Sequence, residues 1–403
     1  MNKLSLADLD VAGKRVFVRV DFNVPLEDGR ITDDTRIRAA LPTIEHLREV
    51  KASVVLASHL GRPQGKVNVA LSLRPAAERL GELLGTPVFF VDDCIGDFVK
   101  KAADKLGPGQ VLLLENLRFH PEEEANDENF SKALAGLCDG FYVNDAFGSA
   151  HRAHASTEGI VRHVRQAAAG LLMERELTYL GKAVEKPEKP YVAVLGGAKV
   201  SDKIEIIANL LKLVDTLIIG GGMAYTFLKA KGEAVGRSLV EEDKVALAWQ
   251  LLKEAAERDV DVLLPTDHVV AAGRDATGEV TTVGANAIPD DVMALDIGPQ
   301  TIEAFTAALQ PARTIVWNGP MGVFENELFA AGTIAVARAI AGSGATSIAG
   351  GGDSVAAARL AGVTDKISHI STGGGASLEF LGGRKLPGVE ALTERTGRMG
   401  THA

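Results

Sequence analysis

Arginine, histidine and short polar side chains follow the apolar runs in the first half of the chain. The alternating run at residues 16–20 ends at Asp21 and Asn23, and the next apolar run ends at His59 and Arg62. Arginine binds small carboxylates and phosphates in bidentate geometry, and open α/β sheets bind ligands beyond the carboxyl ends of their strands. We therefore predict a site for a small, multiply charged anion. The residues of this kind are Asp21, Asn23, Arg36 and Arg38 (expected in one loop), His59, Arg62, Asn116, Arg118, Asn144, Asp145 and Arg152, with His120 and His151 interpreted as structural histidines.

Glycine-rich segments follow the apolar runs in the second half. Consecutive backbone N–H groups in such a loop can point together at a phosphate. One glycine loop by itself is more often a tight turn with positive φ, but three triple-glycine loops in one domain favour a nucleotide site. The glycine-rich segments are residues 196–199, 220–222, 350–354 and 373–375.

Two lysines and one aspartate in this half suit phosphoryl chemistry. Lys199 and Lys203 are four residues apart on a segment that is predicted to begin as a helix, so we expect both on one helix face. Two ammonium groups there could neutralise a phosphoryl group in transit, and a solvated helix face is the other interpretation. Asp353 follows a glycine loop, where one carboxylate commonly holds Mg²⁺ against nucleotide phosphates. A helix N-cap is the alternative for Asp353.

Short β-rich runs alternate with helix-like stretches, which predicts parallel sheets covered by helices on both faces. We therefore predict an α/β protein with two doubly wound parallel-sheet domains joined by a long helix at residues 166–184 and a linker at 185–190. The predicted boundaries are 1–170 for the amino-terminal domain, 171–190 for helix and linker, 191–385 for the carboxyl-terminal domain, and 386–403 for a tail packed on the first domain. The predicted strands are 15–21, 53–58, 111–115, 141–145, 191–195, 216–219, 262–265, 314–318, 347–350 and 367–371.

Composition and charge argue against several other classes of protein. A length of 403 residues favours two domains, and a net charge of −10 argues against nucleic-acid or membrane partners. Cys94 and Cys138 are too far apart for a metal-ligand motif, so we expect a reducing cytoplasm. Phosphate-binding P-loop, dinucleotide-binding, serine-nucleophile and zinc-spacing motifs are absent from the sequence.

Longer blocks of the sequence resemble the phosphoglycerate kinase family. The resemblance runs in order along essentially the whole chain, and blocks of this length are more specific than any glycine motif. Glu122 and Ser149 depart from residues common in the family, and the tail at 394–403 extends past its usual end. The matching blocks are residues 19–25, 117–120, 144–148, 150–154, 196–203, 317–325, 350–354 and 371–377.

The resemblance implies roles for individual residues. The first domain would hold 3-phosphoglycerate or 1,3-bisphosphoglycerate, and the second would hold Mg-ADP or Mg-ATP. Asp353 would be the Mg²⁺ ligand and Glu325 the ribose partner, while Arg36, Lys199 and Lys203 would meet the transferred phosphoryl group. The substrate residues would be Asp21, Phe22, Asn23, Arg36, His59, Leu60, Gly61, Arg62, Arg118 and Arg152. The nucleotide residues would be Lys199, Lys203, Asn318, Glu325, Gly350, Gly351, Gly352, Asp353 and Ser354, with Gly373, Gly374 and Gly375 as a phosphoryl loop.

The implied activity is reversible phosphoryl transfer between 1,3-bisphosphoglycerate and ADP, by a cytoplasmic monomer whose domains close around a hinge. Such a transfer needs no general base, because the attacking carboxylate or phosphate oxygen carries no proton to be removed. Two alternatives stay open. One is another ATP-dependent kinase that acts on a small carboxylate, and the other is a non-catalytic anion-binding protein, which would show no turnover.

Overall fold

The computed structural model describes residues 2–278 and 280–395. Within these residues the chain divides into two compact units. Unit 1 is drawn from residues 1–178 and 385–403, and unit 2 from residues 179–384. Of the tail at 394–403, residues 396–403 lie outside the described part, whereas Glu394 forms an antiparallel bridge with Lys3. Every helix in the described part is too short or too polar to cross a membrane.

Strands and helices alternate along most of both units. The strands are β1 (Arg15–Arg19), β2 (Leu26–Glu27), β3 (Arg30–Ile31), β4 (Ser53–Ala57), β5 (Val88–Phe90), β6 (Val111–Leu113), β7 (Phe141–Asn144), β8 (Gln166–Ala169), β9 (Tyr191–Leu195), β10 (Thr216–Ile219), β11 (Asp261–Leu263), β12 (Asp267–Ala271), β13 (Thr281–Gly284), β14 (Met293–Ile297), β15 (Thr314–Asn318), β16 (Thr346–Ala349) and β17 (His369–Ile370). The helices are α1 (Thr35–Glu49), α2 (Arg74–Leu84), α3 (Asp97–Asp104), α4 (Pro121–Glu124), α5 (Glu128–Ala135), α6 (Leu171–Glu185), α7 (Ile204–Leu210), α8 (Ala224–Ala230), α9 (Val245–Glu257), α10 (Pro299–Leu309), α11 (Ala331–Gly342), α12 (Gly352–Leu360), α13 (Gly375–Leu381) and α14 (Pro387–Glu390).

The core of unit 1 is a six-stranded parallel sheet in the order β5-β6-β4-β1-β7-β8. Strand β1 pairs with β4 on one side and with β7 on the other. Its residues Val16, Phe17 and Val18 are fully buried, as expected for a strand covered on both faces of the sheet. Because all these strands run in one direction, the polar residues that follow them gather at one edge of the sheet.

Unit 2 contains a second six-stranded parallel sheet, in the order β11-β10-β9-β15-β16-β17. The predicted fold class, with two doubly wound parallel sheets, is confirmed. Unit 2 also has an antiparallel sheet in the order β13-β12-β14, which the sequence-based strand prediction did not include. Val270 and Ala294 of that sheet pack with Tyr225 and Leu228 of α8. The extra sheet is therefore attached to the parallel core by its own small hydrophobic cluster.

The prediction of one long helix over residues 166–184 is wrong at its amino-terminal end. Residues 166–169 form β8, which pairs in parallel with β7, and α6 begins only after this strand. Alanine favours helices, but here three consecutive alanines pair with β7 on one side of the strand. On the other side, Ala167 donates its N–H to Thr393 Oγ1 at 3.0 Å and Ala169 donates its N–H to the carbonyl of Leu4 at 2.9 Å. The helix starts beside Asp145, whose carboxylate accepts hydrogen bonds from the N–H groups of Leu172 at 2.9 Å and Met173 at 3.2 Å. Sheet pairing therefore overrides the local helix propensity.

Candidate active site

Arg36 and Asp21 form an ion pair at the carboxyl end of β1. Arg36 Nη1 donates a hydrogen bond to Asp21 Oδ2 at 2.8 Å. The prediction that Arg36 and Arg38 lie in one loop is wrong, since both belong to the first turn of α1. Positions two apart on a helix do not share a face, and Arg38 pairs instead with Asp34 at 2.8 Å. Only Arg36 therefore joins the polar edge of the sheet.

The loops that follow β1, β4 and β6 are tied together at this edge. Asn23 Oδ1 accepts a hydrogen bond from the N–H of Gly61 at 2.9 Å, and Arg118 Nη1 donates to the carbonyl of Gly61 at 2.9 Å. The buried Phe22 donates its N–H to Ser58 Oγ at 2.8 Å. Gly61 has a φ of +64°, which a residue with a Cβ rarely adopts. Residues from three separate segments of the sequence thus form one polar surface.

His59 is buried beside Arg19, and this contact fixes its tautomer. Arg19 Nη2 lies 3.1 Å from His59 Nδ1. Because a guanidinium can only donate hydrogen bonds, Nδ1 accepts and the ring proton of the neutral imidazole is on Nε2. Burial holds the pKa of His59 well below its usual value, and the nearby Arg19, Arg118 and Arg36 lower it further. His59 is therefore a neutral N–H donor among cations.

Arg19 itself is held in place by a buried network. Its Nε donates to Ser156 Oγ at 2.8 Å, and Ser156 Oγ donates to Glu123 Oε1 at 2.6 Å. All three side chains are fully buried, and burial raises the pKa of Glu123 although Arg19 and Ser156 oppose this. The buried guanidinium of Arg19 is thus linked to the carboxyl group of Glu123 through the hydroxyl group of Ser156.

The other substrate residues predicted in unit 1 range from exposed to buried, and only some of them lie together. Arg118 and Arg152 approach the same oxygen, Glu124 Oε1, at 3.4 and 3.9 Å, so the structure brings these two arginines together. Burial lowers the pKa of Arg118. Arg62 is exposed next to Gly61. Leu60 is buried, and its carbonyl accepts a hydrogen bond from Asn116 Nδ2 at 2.7 Å, so its main contribution is to hold the loop.

Glycine loops meet backbone to backbone at the carboxyl ends of the strands in unit 2. A Cβ on Gly196 would lie 2.0 Å from the carbonyl oxygen of Pro320, and one on Gly221 would lie 2.6 Å from the amide nitrogen of Gly197. Both distances are too short for a real Cβ atom, so a side chain at either position would clash. The loops that follow β9, β10 and β15 can therefore come this close only because these positions lack a side chain.

These loops form one wall of a cavity of about 490 Å³. Glu325 and Asp353 reach its lining, together with Arg237 and Arg274. Apart from Ser238, the other lining side chains are mostly apolar and suit the face of a nucleobase. They come from α8, from the segment before α9, from β14 and from the segment that follows β15, and comprise Tyr225, Leu239, Val240, Met293, Ala294, Leu295, Met321 and Val323.

The prediction that Lys199 and Lys203 share a helix face is wrong. The N–H of Gly197 donates to the carbonyl of Pro320 at 3.1 Å, so the chain after β9 stays irregular and α7 begins only at Ile204. Lys199 is exposed, whereas Lys203 is part-buried and its Nζ donates to the carbonyl of Asn318 at 3.2 Å. Burial lowers the pKa of Lys203 to about 8, against the opposing effect of Asp202 and Asp353.

Asp353 lies in the first turn of α12 behind the 350–352 glycine loop. The N-cap position of α12 is Gly351, with a φ of +89°, so Asp353 is not the cap residue. Its carboxylate is exposed at the positive end of the helix. Ser354 is fully buried, where its Oγ accepts from the N–H of Gly319 at 2.7 Å and donates to the carbonyl of Gly350 at 2.8 Å. Ser354 thus holds the loop that presents Asp353.

The second glycine loop of this kind, residues 373–375, leads directly into α13. Gly374 has a φ of +52°, and the N–H of Gly373 donates to Ser371 Oγ at 3.1 Å. Asn318 closes the neighbouring loop by donating from Nδ2 to the carbonyl of Gly350 at 2.7 Å. The two loops thus lead from β16 into α12 and from β17 into α13, and the amino-terminal end of a helix is a place where phosphate can bind.

Comparison with known proteins agrees with this geometry. The family model for phosphoglycerate kinase matches residues 6–384. The chain belongs to the phosphoglycerate kinase family. It is 63% identical to the phosphoglycerate kinase of Acidobacterium capsulatum, over 98% of this chain and 100% of that protein, and 63% identical to that of Moorella thermoacetica, over the same shares. The structure of phosphoglycerate kinase from Coxiella burnetii is similar with a TM-score of 0.89 and 44% identity, covering 96% of this chain and 98% of that one.

Family membership confirms the resemblance stated from the sequence blocks and the prediction of a phosphotransferase with a carboxyl acceptor. A second solved structure, phosphoglycerate kinase from Pyrococcus horikoshii, has a TM-score of 0.84 and 38% identity over 96% of this chain and 98% of that one. The roles of individual residues remain predictions.

Sequence reasoning missed two groups of residues at these sites. Arg19 and Glu123 were not chosen because a charged residue in a strand or a glutamate-rich turn gives no local sign that it is buried. The apolar lining of the cavity was missed because it comes from separate segments, including the undetected strand β14. The signal for Arg19 was present, since an arginine that directly follows three apolar residues of a strand must find partners when it is buried.

Proposed function

We propose that this chain catalyses reversible, Mg²⁺-dependent transfer of a phosphoryl group from 1,3-bisphosphoglycerate to ADP, which gives 3-phosphoglycerate and ATP. The observation that carries the proposal is the pair of different sites. One presents arginines and a neutral histidine at the strand ends of unit 1, and the other presents glycine backbone around a cavity in unit 2. Family membership over nearly the whole chain supports the same reaction.

The polar edge of unit 1 would bind the glycerate substrate. Arg62, Arg118 and Arg152 supply positive charge for its phosphate and carboxylate groups. His59 supplies an N–H donor that stays neutral, as its tautomer and lowered pKa support. Asp21 and Asn23 would contact the hydroxyl group, because a carboxylate would repel a phosphate.

The cavity of unit 2 would bind the nucleotide, with its base against the apolar lining and its phosphates over the glycine loops. Mg²⁺ prefers few protein carboxylates and keeps phosphate and water ligands. The single exposed carboxylate of Asp353, next to a glycine loop, fits that preference. The ion would neutralise phosphate charge when it is bound, and Glu325 at the cavity would contact the ribose.

The transfer step would depend on positioning and charge. The attacking oxygen carries no proton, so no general base is needed. Arg36 and Lys203 would stabilise the negative charge that spreads over the phosphoryl oxygens. The exposed Lys199 would have to turn toward the phosphoryl group, whereas Lys203 is already held against the loop of Asn318.

We also propose that the chain works as a cytoplasmic monomer with a closing motion, because direct transfer requires both bound substrates to touch. Small-angle scattering should give a smaller radius of gyration with both substrates than without, and an unchanged radius would reject closure. Light scattering should give the mass of one chain, and a larger mass would reject the monomer.

Coupled assay of ATP formation from 1,3-bisphosphoglycerate and ADP tests the reaction itself. Turnover restricted to other small carboxylates would favour the alternative of a different acyl-phosphate kinase, and no turnover would favour a binding protein.

Replacing Asp353 by Asn tests the nucleotide site separately. We expect Mg-ADP binding by calorimetry to weaken roughly 10-fold or more, because one charged Mg²⁺ ligand is lost. Binding of 3-phosphoglycerate should stay unchanged. Unchanged Mg-ADP affinity would remove Asp353 from the metal site.

A further inference from the structure

Asp93, Cys94 and His120 form a compact group in unit 1 to which the proposed reaction assigns no role. One carboxylate oxygen, the sulfur and one ring nitrogen all lie within 4.8 Å of one another. His120 Nε2 is 2.7 Å from Asp93 Oδ1. Asp93 and Cys94 follow β5, whereas His120 follows β6, so two neighbouring loops contribute. The sequence gives no spacing that predicts this group.

The surroundings of the group favour a cation. The thiol of Cys94 is buried. The carboxylates of Asp93, Glu123 and Glu115 are the negative groups that act on the sulfur. A divalent ion at the sulfur would stabilise the thiolate among them. Glu115 is not free to be a ligand, because its carboxylate accepts hydrogen bonds from Ser72 at 2.6 Å and from the N–H of Leu73 at 2.9 Å.

We propose that Asp93, Cys94 and His120 bind one Zn²⁺ ion. A thiolate, an imidazole nitrogen and a carboxylate oxygen are the donor atoms that Zn²⁺ takes in proteins, whereas Mg²⁺ prefers oxygen alone. The side chain of Asp93 is 51% exposed, which leaves a fourth position open to water.

Binding balances in charge and protons. Cys94 gives its thiol proton to solvent, and the thiolate and the carboxylate together cancel the two positive charges of the ion. The proton that His120 Nε2 donates to Asp93 moves to Nδ1 as the ring changes tautomer, so Nε2 and the carboxylate can each form one bond to the metal. Asp93 Oδ1 also accepts the N–H of Cys94 at 2.7 Å, so the carboxylate is already oriented toward the site.

The ion would connect two loops at the edge of the sheet. His120 is two residues after Arg118, which binds the loop of Gly61. Metal binding would therefore stabilise the segment that carries one of the substrate arginines, without touching the substrate itself. The site stands independently of the proposed reaction.

Titration of the nucleotide-free full-length chain with Co²⁺, a spectroscopic substitute for Zn²⁺, tests the proposal. We expect one equivalent to produce the ultraviolet charge-transfer absorption of a thiolate–cobalt bond, and Zn²⁺ to remove it by displacement. Excess Mg²⁺ should not remove it. The band should be lost in Cys94→Ala and kept in the matched control Cys138→Ala, because Cys138 is also buried but lies outside the donor group found in the described residues.

Two further variants keep the test decisive if Cys94→Ala fails to fold. His120→Gln changes a part-exposed side chain and should weaken Co²⁺ binding at least ~10-fold, as expected when a metal-site interaction is lost. Asp353→Asn should leave the band intact, because it lies in unit 2. Absence of the band in the unmodified chain, or its survival in His120→Gln with full affinity, would overturn the proposal and leave Asp93 and His120 as a simple ion pair.

Discussion

Under the proposed function, the two candidate sites of this chain would recognise anions by different means. In unit 1, charged side chains such as Arg36 and Arg118 would do the binding, and they are held by ion pairs and hydrogen bonds to neighbouring loops. In unit 2, close backbone contacts at Gly196 and Gly221 shape the site. A side-chain site can lose one contact and stay folded, whereas a backbone site has no side chain to lose and is damaged by any atom added. Substitutions should therefore act in opposite ways in the two units.

Removing a side chain from unit 1 should give the largest effect on turnover. For Arg36→Ala we expect kcat to fall roughly 10²-fold or more, because a charge contact made in the transition state is lost. The dissociation constant for ADP should change little. Arg38→Ala is the matched control, since Arg38 is in the same turn of α1 but pairs with Asp34. The test is to measure kcat of both variants by steady-state kinetics. An equal loss of kcat in Arg36→Ala and Arg38→Ala would show that Arg36 has no special role in the transfer step.

Adding one methyl group to unit 2 should affect stability and nucleotide binding together. For Gly221→Ala we expect a loss of about 1–3 kcal/mol in the free energy of unfolding, from backbone strain at a φ of +67° and the contact with Gly197. Affinity for ADP should fall as well. Gly342→Ala, where a Cβ meets no atom within 4 Å, is the control and should be neutral or slightly stabilising. Equal stability of the two variants by denaturant titration would contradict the steric argument.

The smallest effect should be a pH dependence that arises in unit 2 from Lys203. Its lowered pKa of about 8 means that the ammonium form is lost as the pH rises through that value. If the charge is needed, kcat/KM for ADP should decline above about pH 8, by at most tenfold for each pH unit. Lys203→Arg keeps the charge at high pH, so its profile should stay level there. The same decline in this variant would assign the titration to another group.

Sequence patterns identified the residues that follow the strands at both candidate sites but misjudged their immediate surroundings. The arginines and the glycine loops were found because each follows an apolar strand, and parallel strands place their carboxyl ends at one edge. Arg38 was grouped with Arg36 because the two residues are close along the chain. Closeness in sequence does not show that two residues lie on different faces of a helix. The segment 166–169 was predicted as helix because alanine propensity is local, whereas its pairing with β7 is not.

The sequence by itself determined the alternation of strands and helices, the positions of the glycine loops and the residue blocks that mark the family. These are local properties, which follow from side-chain periodicity and from the absence of a Cβ. Only the tertiary structure decided that Arg19 is buried against His59, that Lys203 rather than Lys199 is held at the loop, and that Cys94 meets His120. Such contacts join residues far apart in the chain, and their free energies depend on burial and partner geometry that no local pattern carries.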